Sequence, residues 1–101
     1  MKLIKIYCGR NTKAGTFVSM KSISEFIKSE VATQYEGFTV YHTLGYWQGK
    51  EEISFVIEII TEPGPLSHHV DFRPQQIANA YKRNFDQEAV LVTIQEIEIL
   101  E

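Results

Sequence analysis

Residues 38–61 read FTVYHTLGYWQGKEEISFVIEIIT, and this stretch decides the fold. Both halves are rich in β-branched and aromatic residues, which favour strands. Between them, Gln48, Gly49 and Lys50 form a short polar segment that suits a hairpin turn. The stretch therefore predicts two adjacent strands, residues 38–47 and 53–61, in the middle of the chain.

The N-terminal part predicts a strand followed by a helix. Residues 2–9 alternate with the two-residue period of a strand, and residues 10–15 are polar and turn-forming. Ser19 and Ser22 are both candidate N-caps for the helix. Its apolar stripe, at three- and four-residue spacing, consists of Met20, Ile23, Phe26, Ile27 and Val31.

The C-terminal part repeats this order. Pro74 suits the first turn of a second helix, because its missing amide donor costs little there. Residues 89–94 predict the last strand, and we expect Phe26 and Phe85 to anchor the core. The inward face of the second helix consists of Ile77, Ala80, Tyr81 and Phe85.

The apolar alternation changes phase near Gln95. Val92 and Ile94 occupy even positions, whereas Ile97 and Ile99 occupy odd ones. A bulge or a short fifth strand would produce this change, since one inserted residue turns all following side chains over. We take it as a sign that this end pairs with a neighbouring subunit.

These elements predict one α+β domain, residues 1–101, with a ferredoxin-like βαββαβ sandwich. Its antiparallel sheet carries two helices on one face, with a possible short extra strand at the C-terminus. The other face is left bare, and either a second copy or a stacked ligand can cover it. The residues expected on that face are Tyr7, Thr39, Tyr41, Trp47, Ser54 and Val56.

Composition narrows the class of protein. The 101 residues are 44% hydrophobic and 23% charged, as in ordinary globular domains, and the net charge of -3 disfavours nonspecific nucleic-acid binding. The N-terminus lacks the pattern of a secretory signal, and no stretch suits a membrane span, so we expect a cytoplasmic protein. The single cysteine, Cys8, excludes an intrachain disulfide and suits a buried apolar position.

Strong catalytic motifs are absent from the sequence, so no catalytic residue is assigned. His68, His69 and Asp71 could contribute to a metal site, but a structural zinc usually needs four protein ligands. We therefore expect neither a metal nor a cofactor. His42, on a strand, is most simply a packed histidine.

Two places suit a small ligand. The segment from Arg10 to Lys13 lies between a strand and a helix, and its donors could hold an anion or form a plain polar loop. Glu52, if it faces Trp47 across the turn, could take an ammonium or sulfonium group. Otherwise it is a charged strand end that aids solubility.

Several motifs resemble an uncharacterised bacterial family of ferredoxin-like domains of roughly this length. They are Y-C-G-R at residues 7–10, V-S at 18–19, G-F-T-V at 37–40, G-Y-W at 45–47 and Y-K-R-N-F-D-Q-E-A-V-L-V at 81–92. The resemblance runs over nearly the whole chain. It implies the fold and assigns no activity.

A weaker resemblance is to the phage S-adenosylmethionine lyases, trimers with a PII-like ferredoxin fold. It rests on Thr43, Gly45 and Trp47, on the pair Glu51-Glu52, and on residues 85–92. It implies that Trp47 is an aromatic wall, Glu52 a partner for the methionine ammonium and Gln87 a polar contact. The reaction it implies is displacement of the sulfonium leaving group by the substrate's own carboxylate. For this reaction the enzyme mainly has to hold the substrate in its reactive conformation.

The first hypothesis from the sequence is a homo-oligomer, for example a trimer, that binds a small anionic or nucleoside-like metabolite at subunit boundaries. The ligand-binding residues expected are Tyr7, Arg10, Tyr41, Trp47, Glu52 and Gln87. The alternatives are an S-adenosylmethionine lyase and a structural or protein-interaction subunit without a ligand. No nucleic-acid or membrane partner is expected.

Overall fold

The computed structural model describes residues 1–62 and 71–100. Within these residues the strands and α-helices are, in chain order, β1 (Lys2–Gly9), α1 (Met20–Phe26), β2 (Thr39–Trp47), β3 (Lys50–Thr61), α2 (Arg73–Asn84) and β4 (Leu91–Glu96). The strands form one antiparallel sheet in the order β2-β3-β1-β4. The predicted α+β, ferredoxin-like fold is confirmed.

The central hairpin is longer than predicted. Strand β3 begins at Lys50, which pairs with Trp47, so the turn contains only Gln48 and Gly49. Both turn residues have positive φ, 53° and 78°, as a type I′ turn requires. This turn matches the twist of the strands and fixes their register.

The core lies between the sheet and the helices. The side chains that β1 and β3 bury there are Ile4, Ile6, Cys8, Phe55, Ile57 and Ile59. Tyr81 of α2 packs edge-on against Phe26 and Phe55, with ring centroids 5.3 and 5.5 Å away. Phe26 is buried as predicted, whereas Phe85 is only partly buried at the rim of this cluster.

Cys8 is fully buried in the core, and burial raises the pKa of its thiol. The prediction that it packs as a small apolar residue is confirmed. Cys8 lies on the buried face of β1, and its neighbours Tyr7 and Gly9 lie on the opposite face. This arrangement is the two-residue alternation that the sequence of β1 shows.

The first helix has a serine N-cap, and the chain that follows it contacts the start of the second helix. Ser19, not Ser22, is the N-cap, and its hydroxyl accepts a hydrogen bond from the Ser22 amide at 3.1 Å. After Phe26 the helix widens into a π-helical segment, Ile27–Val31. Beyond it, the Tyr35 hydroxyl donates to Asp71, and the Arg73 guanidinium lies 4.2 Å from the centre of the Tyr35 ring.

The C-terminal strand lies two residues later than predicted. Residues 97–100 form no strand, although the Ile97 amide still donates to the Met1 carbonyl at 3.0 Å. The change of apolar phase thus coincides with the end of β4. Within the described residues it does not mark a fifth strand.

Candidate functional site

The sheet narrows from four strands to two at one end. The last residue pair between β1 and β3 is Gly9 with Ser54, whereas β2 and β3 remain paired as far as Trp47 with Lys50. Residues 44–53 therefore extend past β1 as a two-stranded projection, which we call the hairpin arm. The sheet face opposite the helices is called the open face below.

Two glycines create a depression on the open face at the base of the arm. Gly45 of β2 pairs with Glu52, and Gly9 of β1 pairs with Ser54. Since paired residues share a face, both glycines lie on the open face, where they place no side chain. The resulting groove has a volume of about 520 Å³.

The walls of the groove are apolar and aromatic. Trp47, 54% exposed, stands at the arm, and Tyr7 and Leu91 stand on the opposite side. The floor is polar at Ser54, whose hydroxyl is hydrogen bonded to the Thr43 hydroxyl at 2.7 Å. Flat aromatic walls above a polar floor suit a planar ring that carries polar substituents.

Gly9 allows an acidic side chain to cross the floor. A Cβ atom at this position would overlap the carboxylate of Glu52 and would lie 2.9 Å from Oε1 of Gln87. The Glu52 carboxylate and the Gln87 amide oxygen therefore converge on one point above the Gly9 backbone. Two oxygen acceptors at one point can receive a ligand that offers several N–H donors.

Gln87 is fixed by hydrogen bonds to the backbone. It is 4% exposed, and its Nε2 donates to the carbonyls of Asn11 at 2.9 Å and Phe85 at 3.1 Å. These two bonds identify which end of the amide is nitrogen and direct Oε1 into the groove. Among the described residues, no donor occupies Oε1, so it is available to a ligand.

The core supports the groove from below through Tyr81. Its hydroxyl donates to the Gly9 carbonyl at 2.6 Å, which ties the end of β1 to α2. Burial is the main reason that the pKa of Tyr81 is raised, so the hydroxyl stays protonated and remains a donor. The strand end beneath Glu52 is thus held in place by a buried side chain.

Of the six predicted ligand residues, four line the groove: Tyr7, Trp47, Glu52 and Gln87. Arg10 lies outside it, and its Nε donates to the Val18 carbonyl at 3.0 Å. Tyr41 shares the open face but is hydrogen bonded to Glu58 at 3.0 Å, away from the groove. Burial, and then that hydrogen bond, raise the pKa of Tyr41.

The sequence interpretation missed the two glycines. Gly9 is the last residue of the first predicted strand and Gly45 lies inside the second, and a glycine in a strand often marks a close approach by another group. That signal was present in the sequence. Their juxtaposition was not, because it depends on how β1 and β2 each pair with β3.

Charged groups of both signs border the groove. Two are basic and three are acidic: Lys13, Lys50, Glu51, Glu52 and Glu88. Within residues 1–62 and 71–100, no group of three or more His, Cys, Asp or Glu side chains could hold a metal ion. His68 and His69 lie outside the described residues, and Asp71 is engaged by Arg73.

None of the helices in the described part of the chain is both long enough and apolar enough to cross a membrane.

Comparison with solved structures finds the same fold. A phage SAM lyase in complex with S-methyl-5'-thioadenosine matches with a TM-score of 0.67 and 21% sequence identity, over 94% of this chain and 80% of that chain. A phage SAM lyase in the apo state matches with a TM-score of 0.51 and 22% identity, over 93% and 78% of the two chains. At these identities the likeness concerns the fold alone. No curated protein sequence matches the chain.

A protein family model matches residues 4–100, which is almost the entire sequence. Its description is "Protein of unknown function (DUF3574)". The matched range includes β1 from Ile4 onward, the other three strands described above, both helices and every residue of the groove. The chain therefore belongs to the DUF3574 family.

Proposed function

We propose that the chain binds a small nucleoside-like metabolite with a cationic group, in the groove at the base of the hairpin arm, and that it works as a homo-oligomer. The observation that supports this most is the convergence of Glu52 and Gln87 above Gly9. A ring held between Tyr7 and Trp47 would bring an attached ammonium to these two oxygens. The bare aromatic surface of the open face supports self-association.

The charge of the groove favours a cationic over an anionic ligand. Glu52 and Gln87 offer acceptors at one point of the groove. Arg10, the expected anion ligand, donates to Val18 outside the groove. An anion at Glu52 would face a like charge, whereas an ammonium would form a charge-assisted hydrogen bond.

A second candidate function is cleavage of S-adenosylmethionine, which carries both an adenosine and an ammonium group. In that reaction the substrate carboxylate attacks the carbon next to the sulfonium, and the carbon–sulfur electron pair goes to sulfur. The products are homoserine lactone and methylthioadenosine. Support comes from a groove that would orient the substrate without supplying a base, and from the likeness to phage SAM lyases.

Calorimetric titration with a matched pair of ligands tests the proposal. The two share the methylthioadenosine part, but S-adenosylmethionine also carries an ammonium, a sulfonium and a carboxylate, none of which S-methyl-5'-thioadenosine has. Glu52→Gln should weaken binding of S-adenosylmethionine by about tenfold or more, because a hydrogen bond to a charged group is worth about 1.5–3 kcal/mol. Glu52→Gln should change the binding of S-methyl-5'-thioadenosine little. Trp47→Phe should weaken the binding of both ligands.

Glu58→Gln is the matched control, since Glu58 lies on the same face of the same strand but outside the groove. It should leave both affinities unchanged. Mass spectrometry of the titrated mixture, compared with the same ligand solution without protein, separates binding from cleavage, because a lyase releases methylthioadenosine and the lactone faster than S-adenosylmethionine does by itself. If neither ligand nor common nucleotides bind the wild-type protein, the proposal fails in favour of a structural subunit.

A further inference from the structure

Gly9 occupies a position in β1 whose backbone conformation does not require glycine. A positive φ is the usual requirement, and among the five described glycines only Gly15 and Gly49 have one. Gly9 lies instead in extended backbone, paired with Ser54 of β3. Glycine weakens a strand at such a position, because it loses more entropy on folding and packs no side chain. The reason for the glycine therefore lies in the space beside it.

The space beside Gly9 differs from the space beside the other glycines. A Cβ atom on Gly45 would make ordinary contacts, the nearest at 3.6 Å from the Ser54 hydroxyl oxygen, and one on Gly37 would meet nothing within 4 Å. A Cβ atom on Gly9 would overlap the Glu52 carboxylate and lie 2.8 Å from its carboxyl carbon. Among the described glycines, only at Gly9 does a charged group take the place of a side chain.

A side chain at position 9 would displace Glu52 rather than the strand. The Gly9 carbonyl accepts a hydrogen bond from the buried Tyr81 hydroxyl at 2.6 Å, which holds the end of β1. Gln87 is held by its two hydrogen bonds to backbone carbonyls. The Glu52 carboxylate is the free end of a flexible, partly exposed side chain, so it is the group that moves at least cost. Any residue larger than glycine would therefore separate this carboxylate from Gln87.

We propose that Gly9 determines the charge selectivity of the groove, because its missing side chain allows the Glu52 carboxylate to lie beside Oε1 of Gln87. This inference rests on the binding site of the proposed function, and it names the residue through which that site selects an ammonium. With a side chain at position 9, the aromatic walls would remain but the two acceptors would no longer converge. The groove would then bind the nucleoside part of a ligand without preferring a cation.

Calorimetric titration with S-adenosylhomocysteine and S-methyl-5'-thioadenosine tests the inference. Both contain thioadenosine, and only the first carries an ammonium and a carboxylate. It has no sulfonium leaving group, so displacement cannot cleave it during the titration. Gly9→Ala should lower the ratio of the two affinities by about tenfold or more, as Glu52→Gln should, because a charge-assisted hydrogen bond is lost. Gly9→Ala added to Glu52→Gln should lower the ratio no further, since both act through one carboxylate.

Two other glycines provide matched substitutions. Gly45→Ala also adds a methyl group to the floor of the groove, but no atom of the Glu52 carboxylate lies within 4 Å of it. It should therefore affect both ligands alike and keep their ratio. Gly37→Ala, outside the groove, should leave both affinities unchanged. The inference is overturned if Gly9→Ala keeps the wild-type ratio, or if Gly45→Ala lowers the ratio as much.

A double variant covers the case in which Gly9→Ala does not fold, as judged by circular dichroism. Gly9→Ala combined with Glu52→Ala should fold as Glu52→Ala does, because no carboxylate then occupies the place of the added methyl group. If the double variant also fails to fold, the backbone itself needs the glycine, and the inference is overturned. A wild-type preference for S-adenosylhomocysteine that Gly9→Ala retains overturns this inference alone. A wild-type protein that binds neither ligand overturns the binding proposal and this inference together.

Discussion

On the helix side of the sheet, Ile6, Cys8 and Phe55 are fully buried, whereas their neighbours Tyr7, Gly9 and Ser54 on the open face line a groove. The two sets alternate along the same strands. A shift of one residue in register would exchange them. The comparison shows that stability and binding can be carried by the same strands on opposite faces, provided that register is tightly fixed.

The two sides also differ in how their aromatic residues are used. On the helix side, Phe26 and Phe55 pack edge-on against Tyr81, and Phe85 packs against it at a tilt. Tyr7 and Trp47 on the open face are 40% and 54% exposed. We therefore expect substitutions on the helix side to act on folding and those on the open face to act on binding.

The largest effect is expected in the aromatic cluster. Phe26→Ala should lower the free energy of unfolding by about 3–5 kcal/mol, because it empties a buried position that contacts Tyr81 and Phe85. Phe85→Ala should cost less, since Phe85 is only partly buried. Urea unfolding followed by circular dichroism measures both. Equal midpoints for Phe26→Ala and wild type would contradict the placement of α1 over the sheet.

Tyr81→Phe should lower the free energy of unfolding by an intermediate amount. Tyr81 lies on the helix side, and its hydroxyl supports Gly9 of the groove. The substitution keeps the ring but removes the hydroxyl that donates to the Gly9 carbonyl, at a cost of about 1–3 kcal/mol for an unsatisfied buried acceptor. Tyr46→Phe is the control, because the Tyr46 hydroxyl bonds Glu51 in water and should be nearly neutral. The same unfolding measurement applies. If both variants lose the same stability, the Gly9 bond has no special role.

The smallest effect concerns Asp71, far from the groove. The Arg73 guanidinium, as a hydrogen-bond donor, holds the pKa of Asp71 below its ordinary value of 3.8. The folded state therefore favours the ionised form, and this stabilisation is present above about pH 4 and lost as pH falls through the lowered pKa. Because the pair is partly exposed, Asp71→Asn should cost only about 0.5–1 kcal/mol at neutral pH.

Thermal unfolding of wild type and Asp71→Asn from neutral pH down to about pH 3 checks this, since the gap should close as Asp71 takes up its proton. Ligand affinity should be the same in both proteins. A gap that persists at low pH would mean that the asparagine acts through packing rather than charge.

Local pattern predicted the fold well and the site only in part. The alternation in β1 and the apolar stripe of α1 assigned the faces, because burial imposes a period on nearby residues. The groove depends on Gly9 and Gly45 lying at the same level of the sheet, on the two strands that flank β3. The spacing of these residues in the sequence does not indicate this. Arg10 comes directly after β1, where an anion-binding residue was expected. Its side chain instead donates a hydrogen bond to the Val18 carbonyl, which the sequence does not indicate. Gln87 was indicated by resemblance alone.

The position of Trp47 has a spectroscopic consequence. It is the only tryptophan of the chain, and it stands in the wall of the groove rather than in the core. Its emission in the free protein should resemble that of indole in water, so fluorescence should change little when the core unfolds. The same emission should shift to shorter wavelength when a ligand covers the ring. The intrinsic fluorescence of this protein is therefore expected to report on occupancy of the groove and to be a poor measure of folding.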